Sequence, residues 1–223
     1  GTSGGARPKV MMEMDGEPWI IKFPAHVDRA DIGKMEYDYY LCAEQCGITM
    51  SECNLFPSDK CSGYFGTKRF DRKNQHGEIE RVHMLTVAAL LELDFEQPVL
   101  DYQDLMKLTK IITNNSPEDL ENMYRRMCFN VYAHNRDDHA KNFSFLYEEE
   151  KKCWRLSPAY DLTYSTTYYG EHTTTVAGNG KNPGSKELIF VGTQAGLSKE
   201  KCRSIAVEIK NCVSDMLSEY LNP

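Results

Sequence analysis

Two short runs near the start, KVMMEMDG and EPWIIKFP, read as a pair of strands separated by a turn. From Lys34 to Gly47 the apolar positions change to helical spacing. Met35, Tyr39, Leu41, Cys42 and Cys46 form a broad face, and Gly47 supplies a stop. YFGTKRFDR returns to a strand-like pattern that ends in charge. HMLTVAALLELD, from His83, and YQDLMKLTKIITN after it read as helices. The next helix has an explicit start: Ser116 as N-cap, Pro117 in the first position and Asp119 three after the cap. Its apolar residues Leu120, Met123, Met127 and Val131 recur at helical spacing. NFSFLY and CWRLS, joined by the charged turn EEEKK, predict a hairpin. A glycine- and threonine-rich loop follows from about Thr166 to Ser185, then a helix from Lys186. A last amphipathic helix, capped by Ser198, runs to about Leu221 with Cys202, Ile205, Ile209, Val213 and Met216 inward. The layout is α+β: a small strand–helix lobe over 1–75 and a larger, mainly helical lobe over 76–223 holding one hairpin.

Composition narrows the classes. The 223 residues are 11% aromatic and 41% hydrophobic, enough for a sizeable core and too apolar for a disordered or low-complexity chain. With 26 basic against 33 acidic residues the net charge is −7, so a protein that coats nucleic acid is disfavoured. No apolar run reaches membrane-spanning length and no signal peptide is recognisable. Eight cysteines occupy mostly apolar contexts, which suggests free buried thiols in a reducing, cytoplasmic setting. Cys42 and Cys46 stand one helical turn apart, but no second pair lies at metal-binding spacing, so a zinc site is not expected.

The stretch AHNRDDHAKNFSFLY carries the most chemistry. Arg136-Asp137, four residues and Asn142 reproduce the spacing of a kinase catalytic loop, with Asn135 where the leading His would stand. That spacing lets a carboxylate face an attacking hydroxyl while an amide oxygen further along the loop binds a metal on the same phosphate. Asp161, in SPAYDLT just beyond the second hairpin strand, offers the second acidic metal ligand, although no Asp-Phe-Gly triplet is present. Lys22 ends the apolar strand WIIK, as a phosphate-binding lysine does, and needs an acidic partner. Glu36 on the following helix is the first choice and Glu44 the second. Gly4 and Gly5, with Arg7 and Lys9 nearby, could bring backbone N–H groups and charge to phosphates.

Each part alone has a plain structural reading: a turn, a solvated strand end, a chance Asp–Asn spacing. Their order along one chain favours phosphoryl transfer. Other residues read as structural. His139 lacks a second histidine at ligand spacing, His83 reads as a capping or packing residue, Arg125-Arg126 reads as a solvated helix face, and FDRKNQHGEIER as a connecting turn.

GGARPK, WIIKFP, GTKRFDR, RVHM, DDHAKNFS and LSPAYDLT resemble, in order, the HipA-type serine/threonine kinases of bacterial toxin–antitoxin modules. The resemblance implies a kinase-like two-lobed fold that binds ATP and Mg²⁺ between its lobes. It implies Asp137 as catalytic base, Lys141 beside the transferred phosphate, Asn142 and Asp161 as metal ligands and Lys22 as the phosphate-binding lysine. Lys68, Arg69 and Phe70 would flank the adenine, largely through backbone. Thr2 or Ser3 would take the place of the family's autophosphorylated loop serine, the register leaving the choice open. Family members carry roughly a hundred residues before the glycine loop, so the chain is expected to be a fragment or a natural short form. A protein substrate such as a translation component and a small DNA-binding antitoxin are the implied partners, with neither direct nucleic-acid binding nor a membrane. The rival readings are a non-catalytic nucleotide-binding partner protein and a small-molecule kinase.

Overall fold

The computed structural model describes residues 7–26, 28–75, 77–92, 100–167 and 169–221. Strands β1 (Lys9–Met14) and β2 (Glu17–Lys22) pair antiparallel around a turn at Asp15-Gly16, both with positive φ. Helix α1 (Ile32–Gln45) follows, then β3 (Cys53–Phe56) and β4 (Tyr64–Lys68), which complete an antiparallel sheet of order β1-β2-β4-β3. One face of that sheet is covered by α1, whose Tyr40 packs with Cys53 and Phe65. Gly47 ends the helix in the left-handed region, φ +69°, as its position predicts.

Strands β5 (Arg72–Gln75) and β6 (Glu78–Arg81) form a separate hairpin where the sequence suggested only a connecting turn. The hairpin is almost wholly exposed, so it has no apolar alternation to announce it. Next, β7 (Met84–Thr86) and the single turn α2 (Val87–Leu90) replace the longer helix expected from His83. The strand forms because Met84 to Thr86 pair with the hairpin that comes later in the chain, and the Thr86 hydroxyl then caps α2 by accepting from Ala89 N.

After β8 (Leu100–Asp101), helices α3 (Tyr102–Ile112) and α4 (Pro117–Tyr132) build the centre of the second lobe. Ser116 accepts from Asp119 N at 3.3 Å, the cap its sequence predicts. Strands β9 (Ser144–Glu148) and β10 (Cys153–Leu156) are the expected hairpin, with β7 on its outer edge in the order β10-β9-β7. The loop after it contributes β11 (Thr174–Thr175), parallel to β8. Helices α5 (Ser185–Gln194), α6 (Lys199–Met216) and α7 (Ser218–Leu221) close the chain.

The main core joins Tyr39 and Cys42 of α1 to Met123 and Met127 of α4 and Ile209 of α6, so α1 packs on both the small sheet and the helical lobe. Expectations fail at four single positions. Leu41 and Met216 are largely exposed, whereas Arg126 is buried, donating to Ser157 O and Asn122 Oδ1. Arg125 is likewise not a bare solvated residue: it joins Cys46 O, Glu121 and Glu208. His83 packs edge-on against Trp154, with ring centroids 5.4 Å apart.

Candidate active site

Lys22 ends β2 at the mouth of a cavity of about 270 Å³ between the small sheet and the segment after β10. Ile20, Tyr40, Phe65, Met84 and Leu162 supply apolar walls. This size approaches the lower end of small-molecule pockets, roughly 300–1,000 Å³. The Lys22 ammonium makes ion pairs with Glu36 of α1 and with Asp161, and lies 5.5 Å from the centre of the Phe65 ring. Glu36 is thus the partner, while Glu44 faces outward on the same helix.

The electrostatics follow from this triad. Burial disfavours the Lys22 ammonium, yet the Glu36 and Asp161 carboxylates outweigh it and hold its pKa above the ordinary lysine value. Lys22 likewise draws the Asp161 carboxyl below its ordinary value against the effect of burial. Burial raises Glu36, with Lys22 opposing. At neutral pH the cation therefore persists between the two lobes. Asp161 adopts φ +54°, a left-handed conformation that is uncommon outside glycine and is held here by contacts on both sides.

The loop leaving α4 carries the second group. Asn142 Nδ2 donates to Asp137 O at 2.8 Å, and Asn142 N donates to His139 O at 2.8 Å, closing a tight turn over Ala140–Asn142. The Asp137 carboxylate is 62% exposed, and His139 Nε2 lies 3.8 Å from its Oδ1. Tyr160 donates its hydroxyl proton to Lys141 O at 2.7 Å, which ties this loop to the residue preceding Asp161. Asn142 and Asp161 are thereby brought into one region although nineteen positions separate them.

A buried network that local spacing did not announce supports the loop. Asp138, 1% exposed, accepts from the Tyr102 hydroxyl at 2.8 Å and from Thr174 N at 3.0 Å, and its Oδ2 lies 3.0 Å from His172 Nδ1. Thr174 returns its hydroxyl to Asp138 O, while Thr173 donates twice to Arg136 O. Asn130 Nδ2 bonds the Tyr102 oxygen, and Asn135 Nδ2 bonds Asn130 Oδ1. Both sides of Asp137 are fixed while its carboxylate stays open.

The donor set suits a hard divalent cation. Asn142 spends its Nδ2 on the loop, so its amide oxygen is the side-chain atom that could serve an ion, and Asp161 adds a carboxylate 44% exposed. Asn142 and Asp161 would hold such an ion.

The remaining predicted residues fall into two groups. Lys68, Arg69 and Phe70 line the cavity. The amides of Lys68 and Arg69 already donate to Glu52 O and Pro18 O, at 2.9 and 2.8 Å. Their side chains are paired too, Lys68 with Glu17 and Arg69 with Asp71 in a two-pronged contact. Phe70 packs at a tilt against Tyr160, with centroids 5.5 Å apart. Thr2, Ser3, Gly4 and Gly5 lie outside the described residues.

Comparison with known proteins agrees with the fold. The HipA-like C-terminal domain family matches residues 1–216. "Putative kinase Y4dM" of Sinorhizobium fredii is 28% identical over 175 residues, covering 72% of this chain and 41% of that protein. HipA of Shewanella oneidensis, solved with HipB and operator DNA, superposes with a TM-score of 0.77 at 17% identity over 99% of this chain and 58% of its own. The proinflammatory kinase CtkA of Helicobacter pylori gives 0.61 at 11% identity, covering 94% and 91%. The chain thus spans about half the length of Y4dM and HipA. The fold is kinase-like, α+β and two-lobed, and with nearly every residue inside the family's profile the chain belongs to the HipA-like C-terminal domain family.

Proposed function

We propose that the chain is the catalytic part of an ATP- and Mg²⁺-dependent serine/threonine protein kinase, small lobe 1–75 and catalytic lobe 76–223. The observation that carries this reading is the triad of Lys22, Glu36 and Asp161, formed from strand, helix and post-hairpin segment at the wall of one cavity. A lysine so placed binds phosphate oxygens, and Glu36 keeps it oriented. When bound, Mg²⁺ would neutralise charge on those phosphates. Asp137, exposed on a braced loop, orients the acceptor hydroxyl and takes its proton, and Lys141 lies beside the transferred group. The apolar wall of Ile20, Phe65 and Leu162 receives the base, with Phe70 at its edge. By the family resemblance Gly4 and Gly5 would bind the phosphates and Thr2 or Ser3 would be the self-modified hydroxyl, all four outside the described residues.

The complex of HipA with HipB and operator DNA suggests a small DNA-binding antitoxin as partner. The net charge of −7 supports placing DNA contact on that partner rather than on this chain. The substrate would be a cytoplasmic protein, a translation component by family resemblance. Among the described residues no helix is long and apolar enough to cross a membrane.

The test is transfer of labelled γ-phosphate to protein hydroxyls. Asp137→Asn is expected to lower kcat by about 100-fold or more while nucleotide affinity stays within a few-fold. Full transfer by Asp137→Asn, or nucleotide binding without any transfer by the wild type, would refute the assignment. Transfer confined to small-molecule alcohols would move the reading to a small-molecule kinase.

A further inference from the structure

Away from the cleft, α1 and α6 bring three thiols together. Cys42 lies in the last turn of α1 and Cys46 is the helix's C-cap one turn on, so their sulfurs share a face. Helix α6 crosses that face at Cys212, whose Sγ is 3.9 Å from Cys42 Sγ although 170 residues separate the two. The three sulfurs all lie within 4.8 Å of one another. Cys42 and Cys46 are fully buried, while Cys212 is half-buried and gives the cluster an opening to solvent. One turn further along α6, Met216 places its Sδ 3.7 Å from Cys212 Sγ, and this side chain is 40% exposed.

From these contacts we infer that Cys42, Cys46 and Cys212 form a binding site for one thiophilic d¹⁰ metal ion, with Cu(I) as the best fit and Met216 as its soft outer ligand. The Cys42–Cys212 separation of 3.9 Å is that of two ligands on one ion, and the third sulfur lies within 4.8 Å of both. A metal–thiolate bond of about 2.3 Å sets sulfurs roughly 3.8–4.0 Å apart in a tetrahedral or trigonal arrangement. A disulfide needs about 2.05 Å, and the cysteines here are free. Donor softness selects among metals. Three thiolates and a thioether favour Cu(I) over ions that seek imidazole or carboxylate. Glu208, a carboxylate that acts on Cys46, is engaged by Arg125. Arg125 also donates to Cys46 O at 2.9 Å, placing a positive charge beside a cluster that becomes anionic when loaded. On binding, each thiol releases its proton to solvent as its sulfur bonds the ion, and no electron changes hands.

The consequence reaches the cleft. Glu36 is on the same helix as Cys42 and Cys46, so a loaded site pins α1 to α6 and fixes the helix that orients Lys22.

The test uses the reduced protein under anaerobic conditions, with Cu(I) supplied from a chromophoric chelator. One equivalent is expected to be withdrawn, and the protein to melt at higher temperature when loaded. Cys212→Ser should weaken binding by at least about 10-fold, and Cys61→Ser, remote from the cluster, should leave it unchanged. X-ray absorption of the loaded wild type should give a shell of sulfur donors alone, which needs no variant to fold. No withdrawal of Cu(I), equal withdrawal by Cys212→Ser, a shell dominated by nitrogen or oxygen, or a Cys42–Cys212 disulfide in place of the complex would each overturn the inference.

Discussion

Asp138 stands next to the proposed catalytic aspartate and does the opposite job, because burial separates two otherwise identical side chains. The Asp137 carboxylate is mostly exposed, and the loop's bond to this residue goes to its backbone oxygen, whereas the Asp138 carboxylate is sealed in and accepts from Tyr102 and Thr174. A buried carboxylate is tolerated only when it is hydrogen-bonded, and removing it strands its partners. Asp138→Ala is therefore expected to destabilise the protein by about 3 kcal/mol, read from urea unfolding. Asp138→Asn keeps the shape but presents N–H groups to donors. It should cost about 1–3 kcal/mol and lower kcat more than it raises KM for nucleotide. Unchanged stability in both variants would show that the network does not brace the loop. The R-D-x-x-x-x-N spacing was legible in the sequence because the loop's own bonds are local. The bracing was not legible, since Tyr102, His172 and Thr174 lie 34 to 36 positions away from Asp138. Only the doubled aspartate hinted that one of the pair had a structural task. Glu36 was legible for the reverse reason, as a carboxylate on the helix that follows the strand lysine.

Helix α1 shows how one element serves both the sheet and the cleft. Its first turn passes so close to the chain before β4 that a Cβ on Gly33 would stand 2.2 Å from Gly63 O. That obstacle is backbone and cannot rotate away, so the helix itself must shift. Gly33→Ala should thus cost about 1–3 kcal/mol despite alanine's better helix propensity. Glu36 is three residues further along, so nucleotide affinity should fall as well. Thermal melting and nucleotide titration check the two effects, and a stabilised Gly33→Ala would show that the contact relaxes. Elements with a capping residue and an apolar face were readable in advance, as with α4 behind Ser116 and α6 behind Ser198. The β5–β6 hairpin escaped because it buries almost nothing, and β7 escaped because an apolar run beside a distant strand looks like a helix start. The close approach at Gly33 left no mark on sequence periodicity at all.

At the scale of the molecule, the same ion pairs that assemble the cleft set its response to acid. Asp161 is held below its ordinary pKa first by Lys22, against burial. Burial opposes ionisation of Asp71 and Glu121, but Arg69 and Lys201 respectively overcome it and hold both carboxyls low. A carboxylate whose pKa is depressed by folding contributes stability above its unfolded value, near 4 for these groups, and loses that contribution as pH falls through its folded value. Lys22 shifts upward, so its contribution is complete below its unfolded value and lost only in strong alkali, as pH rises through the folded value. Stability should therefore be nearly flat from about pH 6 to 8 as far as these groups go, then decline steeply below about pH 4. Asp161 is the one of these acids that joins the two lobes, through Lys22. Asp161→Asn keeps the side chain's size and removes that titration, so its unfolding free energy should fall less steeply with acid than the wild type's. Urea unfolding of both proteins at pH 7, 4 and 3 measures the difference. Parallel curves would mean that the Lys22–Asp161 pair contributes nothing to holding the lobes together, whereas converging curves would locate an acid-sensitive bond of the fold at the centre of the proposed active site.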